Sequence, residues 1–149
     1  MTYEAMENKK EQGEFGFSEP VILTVPSSSE YVLLTRLVVS CAGQIAGFEP
    51  QDIYDLKLAV TEAVTNVIRH AKVDSFSVEY RILPQMAEIT VIDNGGGFDA
   101  SNLSGNPGGQ EGGFGLAVIR SLVDEMVLDS TAGGGTRLKM IRCARTSQQ

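Results

Sequence analysis

Residues 50–71 read PQDIYDLKLAVTEAVTNVIRHA, and this stretch does most to decide the fold class. Its apolar side chains recur at helical spacing and form one stripe: Ile53, Leu56, Val60, Ala63, Val64, Val67, Ile68 and Ala71. Pro50 stands where a helix can begin, because the first helical residue has no internal hydrogen bond for a proline to lose. The spacing predicts an amphipathic helix that begins at Pro50, reaches Ala71 and packs on another layer.

A strand and a second amphipathic helix are predicted before it. Residues 21–25 form a β-rich run that stops at Pro26. Ser29 is placed to cap a helix that Gly47 ends. The apolar positions of this helix, which define its predicted apolar face, are Val32, Leu33, Leu37, Val38, Cys41 and Ile45.

The second half of the chain predicts hairpins around a long loop. Residues 75–83 and 88–92 read as two strands joined by a turn at Pro84 and Gln85. Residues 94–115 are rich in glycine, asparagine and serine, which predicts a loop. The remaining predicted elements are a helix at 116–126 and strands at 126–131 and 136–142.

This order predicts an α+β two-layer sandwich, a mixed but mostly antiparallel sheet covered on one face by helices. We expect one domain at residues 19–145, with a flexible lead-in at 1–18 and a short tail at 146–149.

The composition predicts an acidic cytoplasmic protein. Its 149 residues are 42% hydrophobic, enough to bury a core, and the formal net charge is −7. Because that charge repels phosphate backbones and anionic lipid, neither nucleic acid nor a membrane is an expected partner. Cys41 and Cys143 form no disulfide framework or metal motif, and the first nineteen residues lack the apolar core of a secretion signal.

Two polar features could bind a ligand. Glu62 and Asn66 lie four residues apart in the predicted helix, so both side chains leave one face, away from the apolar stripe. A solvated polar stripe would give the same spacing. Asp93 follows the strand at 88–92 and precedes an asparagine and three glycines, so backbone could approach a ligand beside a fixed carboxylate. An Asp-Asn-Gly turn capped by its own side chains is the alternative.

A third feature is the glycine run that leads into the helix at 116–126. Unpaired amides of Gly112, Gly113 and Gly115 could bind phosphate oxygens there, although a loop that merely precedes a helix is common. The sequence has no P-loop motif. A dinucleotide fingerprint beginning at Gly95 fails, because the glycines and proline that follow prevent the helix which that motif must open.

Together these features resemble the GHKL, or Bergerat-fold, ATPases. The matching segments are Glu62-Ala-Val-Thr-Asn66 for the N box, Asp93-Asn-Gly95-Gly-Gly97 for G1, Gly113-Phe-Gly115-Leu116 for G2 and Gly135-Thr136 for G3. The resemblance covers about residues 20–142, and LAVTEAVTNVIRH at 58–70 is similar to the bacterial anti-sigma-factor serine kinases.

The resemblance implies a site for ATP and Mg²⁺. Asp93 would accept a hydrogen bond from the adenine amino group, with Thr136 supporting the same ring, and Asn66 would bind Mg²⁺. Residues 98–115 would form a lid over the phosphates. The residues implied to bind ATP are Asn66, Asp93, Gly95, Gly97, Gly113, Gly115, Leu116 and Thr136.

The resemblance also implies an activity. Glu62 would be the general base that takes the proton of an attacking serine hydroxyl. The protein would be a protein-serine kinase and anti-sigma factor, which binds a sigma factor and phosphorylates a STAS-type anti-anti-sigma antagonist, acting as a homodimer. Arg36 matches a basic residue that such kinases use to hold a partner, although a solvated helix arginine is the alternative.

One departure leaves other functions open. Residues 101–115 contain no lysine or arginine, whereas related kinases often carry an arginine just before the G2 glycines. Phosphate charge would then be offset by Mg²⁺ and backbone amides, or by a residue from elsewhere. The alternatives are a nucleotide-gated partner-binding module without significant kinase activity and a stand-alone histidine-kinase-like ATPase domain. The single histidine, His70, falls at a helix end rather than on a dimerising helix pair.

Overall fold

The computed structural model describes residues 19–97, 111–131 and 133–145, with the backbone alone at residues 111–114. In chain order the elements are β1 (Val21–Pro26), α1 (Val32–Ala46), α2 (Pro50–Asn66), β2 (Ser75–Leu83), β3 (Met86–Asp93), α3 (Glu111–Leu122), β4 (Glu125–Ser130) and β5 (Thr136–Cys143). A 3-10 turn, Ser29–Tyr31, precedes α1, and a π-helical turn, Val67–Ala71, follows α2. This order confirms the predicted one. The predicted lead-in, the predicted tail and residues 98–110 of the predicted loop lie outside the described residues.

The strands form one sheet with β3 at its centre. The order is β1-β2-β3-β5-β4, and every strand pairing in the described chain is antiparallel. The prediction of a mixed sheet is therefore wrong for the described part of the chain. The register places Asp93 opposite Thr136, and Thr136 opposite Ser130. These three residues therefore lie side by side at one end of the sheet.

The core lies between the helices and one face of the sheet, which confirms the predicted two-layer architecture. Alternate residues of the central strands face the helices, and their buried members include Val78, Tyr80, Ile89, Val91, Leu138 and Met140. Buried residues of α2 in the same core are Leu56, Ala59, Val60, Ala63 and Val64. Each fully buried large apolar side chain contributes roughly 1.5–3 kcal/mol. The stripe predicted from residues 50–71 is therefore what joins the layers.

The predicted apolar face of α1 is wrong at four of its six residues, whereas Val32 and Val38 pack against the core as predicted. Leu33, Leu37, Cys41 and Ile45 are exposed, and the buried side of the helix carries small residues instead: Thr35, Val39, Ala42, Gly43 and Ala46. Helices α1 and α2 approach closely, because a methyl group on Gly43 would lie only 2.6 Å from the Ile53 side chain. The Thr35 hydroxyl is satisfied inside the helix by the Val32 carbonyl, at 2.7 Å. Valines and smaller residues thus face the core. The exposed residues form what we call the outer face of α1: Leu33, Leu34, Leu37, Cys41 and Ile45.

Three predicted boundaries also change. Ser29 does not cap α1, because it lies within the 3-10 turn, and the preceding Ser28 hydroxyl bonds the Glu30 carboxylate rather than the backbone. The third helix begins at Glu111 rather than residue 116, so the glycines assigned to the loop include its first turn, and β4 begins at Glu125. None of the described helices is long and apolar enough to span a membrane.

A buried ion cluster joins three elements at the opposite end of the sheet from Asp93. Arg142 of β5 is 3% exposed, and its Nη2 donates to Asp52 Oδ1 at 2.6 Å and to Asp55 Oδ2 at 3.2 Å, both at the start of α2. Its Nη1 donates to the backbone carbonyl of Leu122, the last residue of α3, at 2.6 Å. We call this set the Arg142 cluster. Sequence analysis missed it, since no motif links residues so far apart.

The corrected orientation of α1 predicts opposite outcomes for two neighbouring residues. Leu37 is 59% exposed and Val39 is fully buried. We expect Leu37→Gln to change the free energy of unfolding by less than about 0.5 kcal/mol. Val39→Gln should lower it by about 3 kcal/mol or more, because it removes a buried apolar group and leaves an amide without a partner. Urea unfolding followed by circular dichroism measures both, and equal losses would contradict this orientation.

Candidate functional site

Glu62 and Asn66 lie one helical turn apart at the end of α2, and both are half-buried. Asn66 is the last α-helical residue, because the helix predicted to reach Ala71 changes into the π-helical turn Val67–Ala71. Such turns are rare and occur frequently at functional sites. Lys72 then ends the helical segment in the left-handed region, with φ 52°.

Asp93 is the last residue of β3, on the face of the sheet that carries the helices, and is 6% exposed. Its Oδ1 accepts a 2.9 Å hydrogen bond from the Gly95 backbone N–H, so the Asp-Asn-Gly turn considered as an alternative is present. Within the described chain, Oδ2 has no hydrogen-bond partner. One oxygen therefore orients the carboxylate while the other is left to accept a hydrogen bond from a ligand.

Gly95 lies between this carboxylate and the end of the π-helical turn. A methyl group on its Cα would be 2.5 Å from the Ala71 carbonyl oxygen and 3.0 Å from Asp93 Oδ1. At Gly96, by contrast, no atom lies within 4 Å of the same position. A glycine is thus required at position 95. Any side chain there would separate the end of β3 from the π-helical turn that follows α2.

Gly97 and Gly135 hold this turn against the β4–β5 connection. Their φ values are 65° and 78°, in the left-handed region that glycine adopts without strain. A methyl group on Gly97 would overlap the Thr131 carbonyl, and one on Gly135 would lie 2.5 Å from the Asp93 carbonyl oxygen. The glycines that resemble the G1 and G3 boxes therefore allow two backbone segments to pack together beside Asp93.

Thr136 begins β5 directly opposite Asp93. Its hydroxyl shares a 2.8 Å hydrogen bond with the hydroxyl of Ser130, the last residue of β4. Sequence analysis missed Ser130, because a serine at a strand end has no motif and its pairing with Thr136 depends on the order of strands in the sheet. The two hydroxyls extend the polar edge that Asp93 begins.

Gly115, in the second turn of α3, packs against Asn66. A methyl group there would lie 2.7 Å from Asn66 Nδ2 and 3.2 Å from Oδ1. Gly113 lies two residues earlier in the same helix, and Leu116 is half-buried against the core. The structure thus brings the end of α2 and the start of α3 into direct contact.

Arg36 lies on α1 and turns toward α2. Its Nη1 donates a long hydrogen bond, 3.4 Å, to the Thr61 hydroxyl, next to Glu62. The guanidinium therefore contacts α2 at the residue that precedes the candidate base. His70 and the neighbouring Arg69 are exposed on the π-helical turn.

These donors and acceptors fit a purine nucleotide. Asp93 Oδ2 can accept a hydrogen bond from the exocyclic amine of a purine. The first backbone amides of a helix lack internal partners, so those of α3 can donate hydrogen bonds to phosphate oxygens. The described residues contain no group of three or more His, Cys, Asp or Glu able to hold a metal. A Mg²⁺ ion bound by the Asn66 amide oxygen would take phosphate oxygens and water as further ligands, as Mg²⁺ commonly does. The site fits a nucleotide with its cation rather than a cation alone.

Comparison with known proteins gives the same family. Residues 25–142 match the histidine kinase-like ATPase domain. The chain is 36% identical to the serine-protein kinase RsbW of Listeria innocua over 124 residues, and to that of Staphylococcus aureus over 126 residues, with 74% of this chain and 79% of each relative covered.

Solved structures agree on the fold. The RsbU and RsbW domains of a Mycobacterium tuberculosis protein match with TM-score 0.65 and 21% identity, covering 88% of this chain and 34% of that chain. The histidine kinase domain of an Erythrobacter litoralis blue-light activated histidine kinase matches with TM-score 0.51 and 19% identity, covering 80% and 61%. With the family match over most of its length and relatives of this identity and coverage, the chain belongs to the histidine kinase-like (GHKL) ATPase family, among the RsbW serine-protein kinases.

Proposed function

We propose that this protein is an ATP-dependent protein-serine kinase that acts as an anti-sigma factor. One observation carries the proposal: the carboxylate of Asp93, the amide of Asn66 and the start of α3 lie together at one end of the molecule, joined through Gly95 and Gly115. Relatives named serine-protein kinase RsbW support the activity. Sequestration of a sigma factor and phosphorylation of a serine in a STAS-type antagonist follow from the resemblance of residues 58–70 to anti-sigma kinases.

Each residue has a distinct role in this proposal. ATP supplies the phosphoryl group when bound with Mg²⁺. Asp93 accepts a hydrogen bond from the adenine amino group, with Thr136 beside it, and Asn66 holds the cation. Glu62 accepts the serine proton as the serine oxygen bonds to the γ-phosphorus and the bond to ADP breaks. Adenine recognition by Asp93 on the sheet and proton removal by Glu62 on α2 are thus carried by different elements.

The outer face of α1 supports a function that includes binding another protein. Its four large residues other than Cys41 are between 39% and 69% exposed, and none of its five residues is charged. Contiguous exposed apolar surface on a domain of this size commonly marks an interaction site. Arg36 lies on the same helix and contacts Thr61 of α2. We include homodimer formation in the proposal on the resemblance alone.

Asp93→Asn should weaken MgATP binding. The Gly95 N–H still needs an oxygen, so the asparagine would present its Nδ2 donor to the adenine amino group, donor against donor. We expect the dissociation constant to rise about 10- to 100-fold. Isothermal titration calorimetry with MgATP measures this, and Asp129→Asn, at an exposed position on β4, is the matched control. If Asp93→Asn binds MgATP with unchanged affinity, Asp93 does not accept a hydrogen bond from the adenine amino group.

Glu62→Gln should keep nucleotide affinity and lose transfer. Removing a general base slows the chemical step by roughly 100- to 10,000-fold. Single-turnover incubation with radiolabelled ATP and a STAS-type antagonist measures label on the antagonist serine, with the exposed Glu49→Gln as control. Normal transfer by Glu62→Gln would show that the base lies elsewhere. A wild-type protein that binds ATP and partner without labelling it would favour the nucleotide-gated binding module.

Two adjacent glycines provide a third test. Gly95→Ala should reduce MgATP affinity and stability together, because its methyl group would push Ala71 away from Asp93. Gly96→Ala has open space at the same position and should bind MgATP as the wild type does. Calorimetry and thermal unfolding of both variants provide the comparison. Equal behaviour of the two variants would show that the contact at Gly95 does not shape the site.

A further inference from the structure

We propose that Arg142 is a positioning residue for the nucleotide site, although it lies at the far end of the helix layer from that site. The inference rests on the proposed function, because it concerns the site formed by Asn66 and α3. Among the described residues, the hydrogen bonds of Arg142 go to none of the candidate ligand-binding residues. Its side chain instead joins the start of α2 to the end of α3, through bonds to Asp52, Asp55 and the Leu122 carbonyl.

The two helices are connected at both ends. They run antiparallel, since the start of α2 meets the end of α3 at Arg142, and the end of α2 meets the start of α3 where Gly115 touches Asn66. From Gly115 to Leu122 the helix is roughly 10 Å long, short enough to behave as a rigid body. A change in helix spacing at the Arg142 end is therefore transmitted to the Asn66 end.

The contact at Asn66 has little tolerance for such a change. A methyl group on Gly115 would lie 2.7 Å from Asn66 Nδ2, so the Asn66 side-chain amide already occupies the space beside the α3 backbone. If α3 tilts toward α2 the amide is displaced, and if it tilts away the start of α3 leaves the phosphate region. The guanidinium fixes this spacing because its Nη2 donates to two carboxylates of α2 while its Nη1 donates to the last carbonyl of α3.

The end of α3 is bonded to the Arg142 side chain, whereas the turn that follows α3 is bonded to β5 by other groups. Asp124 is bonded to β5 through its backbone N–H, which donates to the Ile141 carbonyl, and through its carboxylate, which accepts from the Cys143 N–H. Changing Arg142 therefore leaves the chain attached to the sheet and removes the link between the two helices. Arg142 Nε is buried without a hydrogen-bond partner in the described chain.

The test uses Arg142→Lys, which keeps the buried positive charge but cannot bond α2 and α3 in the planar arrangement of arginine. We expect its dissociation constant for MgATP to rise about tenfold, whereas that for adenosine, which has no phosphate and is read at Asp93, stays within about twofold. Hydrogen exchange of the amides of residues 116–122 should speed up in the same variant. Met86→Ala is the control, since Met86 is buried in a separate cluster with Leu83 and Ile141.

The outcomes separate the two proposals. If the wild type does not bind MgATP, the proposed function fails. If the wild type binds and Arg142→Lys binds equally well, or loses adenosine and MgATP alike, the positioning role is refuted and the proposed function stands. If Met86→Ala loses MgATP affinity to the same extent at a matched unfolding midpoint, general destabilisation explains the effect and the positioning role is again refuted.

A measurement on the wild type covers the case in which Arg142→Lys does not fold. MgATP should slow hydrogen exchange at both ends of the helix pair, including residues 51–55 and 119–122 near the Arg142 cluster. Protection confined to residues near Asn66 and Asp93 would overturn the inference.

Discussion

The π-helical turn that follows α2 meets the end of β3 at Gly95, where the Ala71 carbonyl and the Asp93 carboxylate leave no room for a side chain. The rest of the candidate site depends on this contact. It places Asn66, five residues before Ala71, at the same end of the molecule as Asp93, and the Gly95 N–H orients the carboxylate that would read adenine. The π-helical turn between Asn66 and Ala71 alters the path of the chain just where the helix must reach the sheet.

Around that contact the two halves of the site are built differently. The half that would bind the base is part of the sheet, with Asp93, Thr136 and Ser130 in one row across three strands and glycines permitting close backbone packing. The half that would bind the phosphates is the interface between α2 and α3, where Gly115 contacts Asn66 at one end, Ile119 packs in the shared core, and the Arg142 cluster joins the other end. The sheet can therefore orient the base of a nucleotide on rigid strands. The binding of its phosphates depends instead on the spacing of α2 and α3.

The sequence predicted the layers and the motifs better than it predicted faces and boundaries. The α2 stripe was found because its large apolar residues face the core, whereas α1 buries small residues against α2 and exposes its large ones, which reverses the usual inference from hydrophobic periodicity. The start of α3 was assigned to the loop because glycine disfavours helix, although the contact of Gly115 with Asn66 explains why glycine is needed there. Ser130 and the Arg142 cluster depend on contacts between distant elements, so no local pattern could reveal them. The roles of Glu62, Asn66, Asp93 and the surrounding residues stay predictions.

The most direct test of the account is a crystal structure of the protein grown with Mg²⁺ and a non-hydrolysable ATP analogue. The account predicts the adenine amino group within hydrogen-bond distance of Asp93, the cation on the Asn66 amide oxygen, and the phosphates at the start of α3. A nucleotide bound elsewhere on the molecule, or a region between α2, α3 and Asp93 that stays closed by side chains at saturating nucleotide, would contradict it.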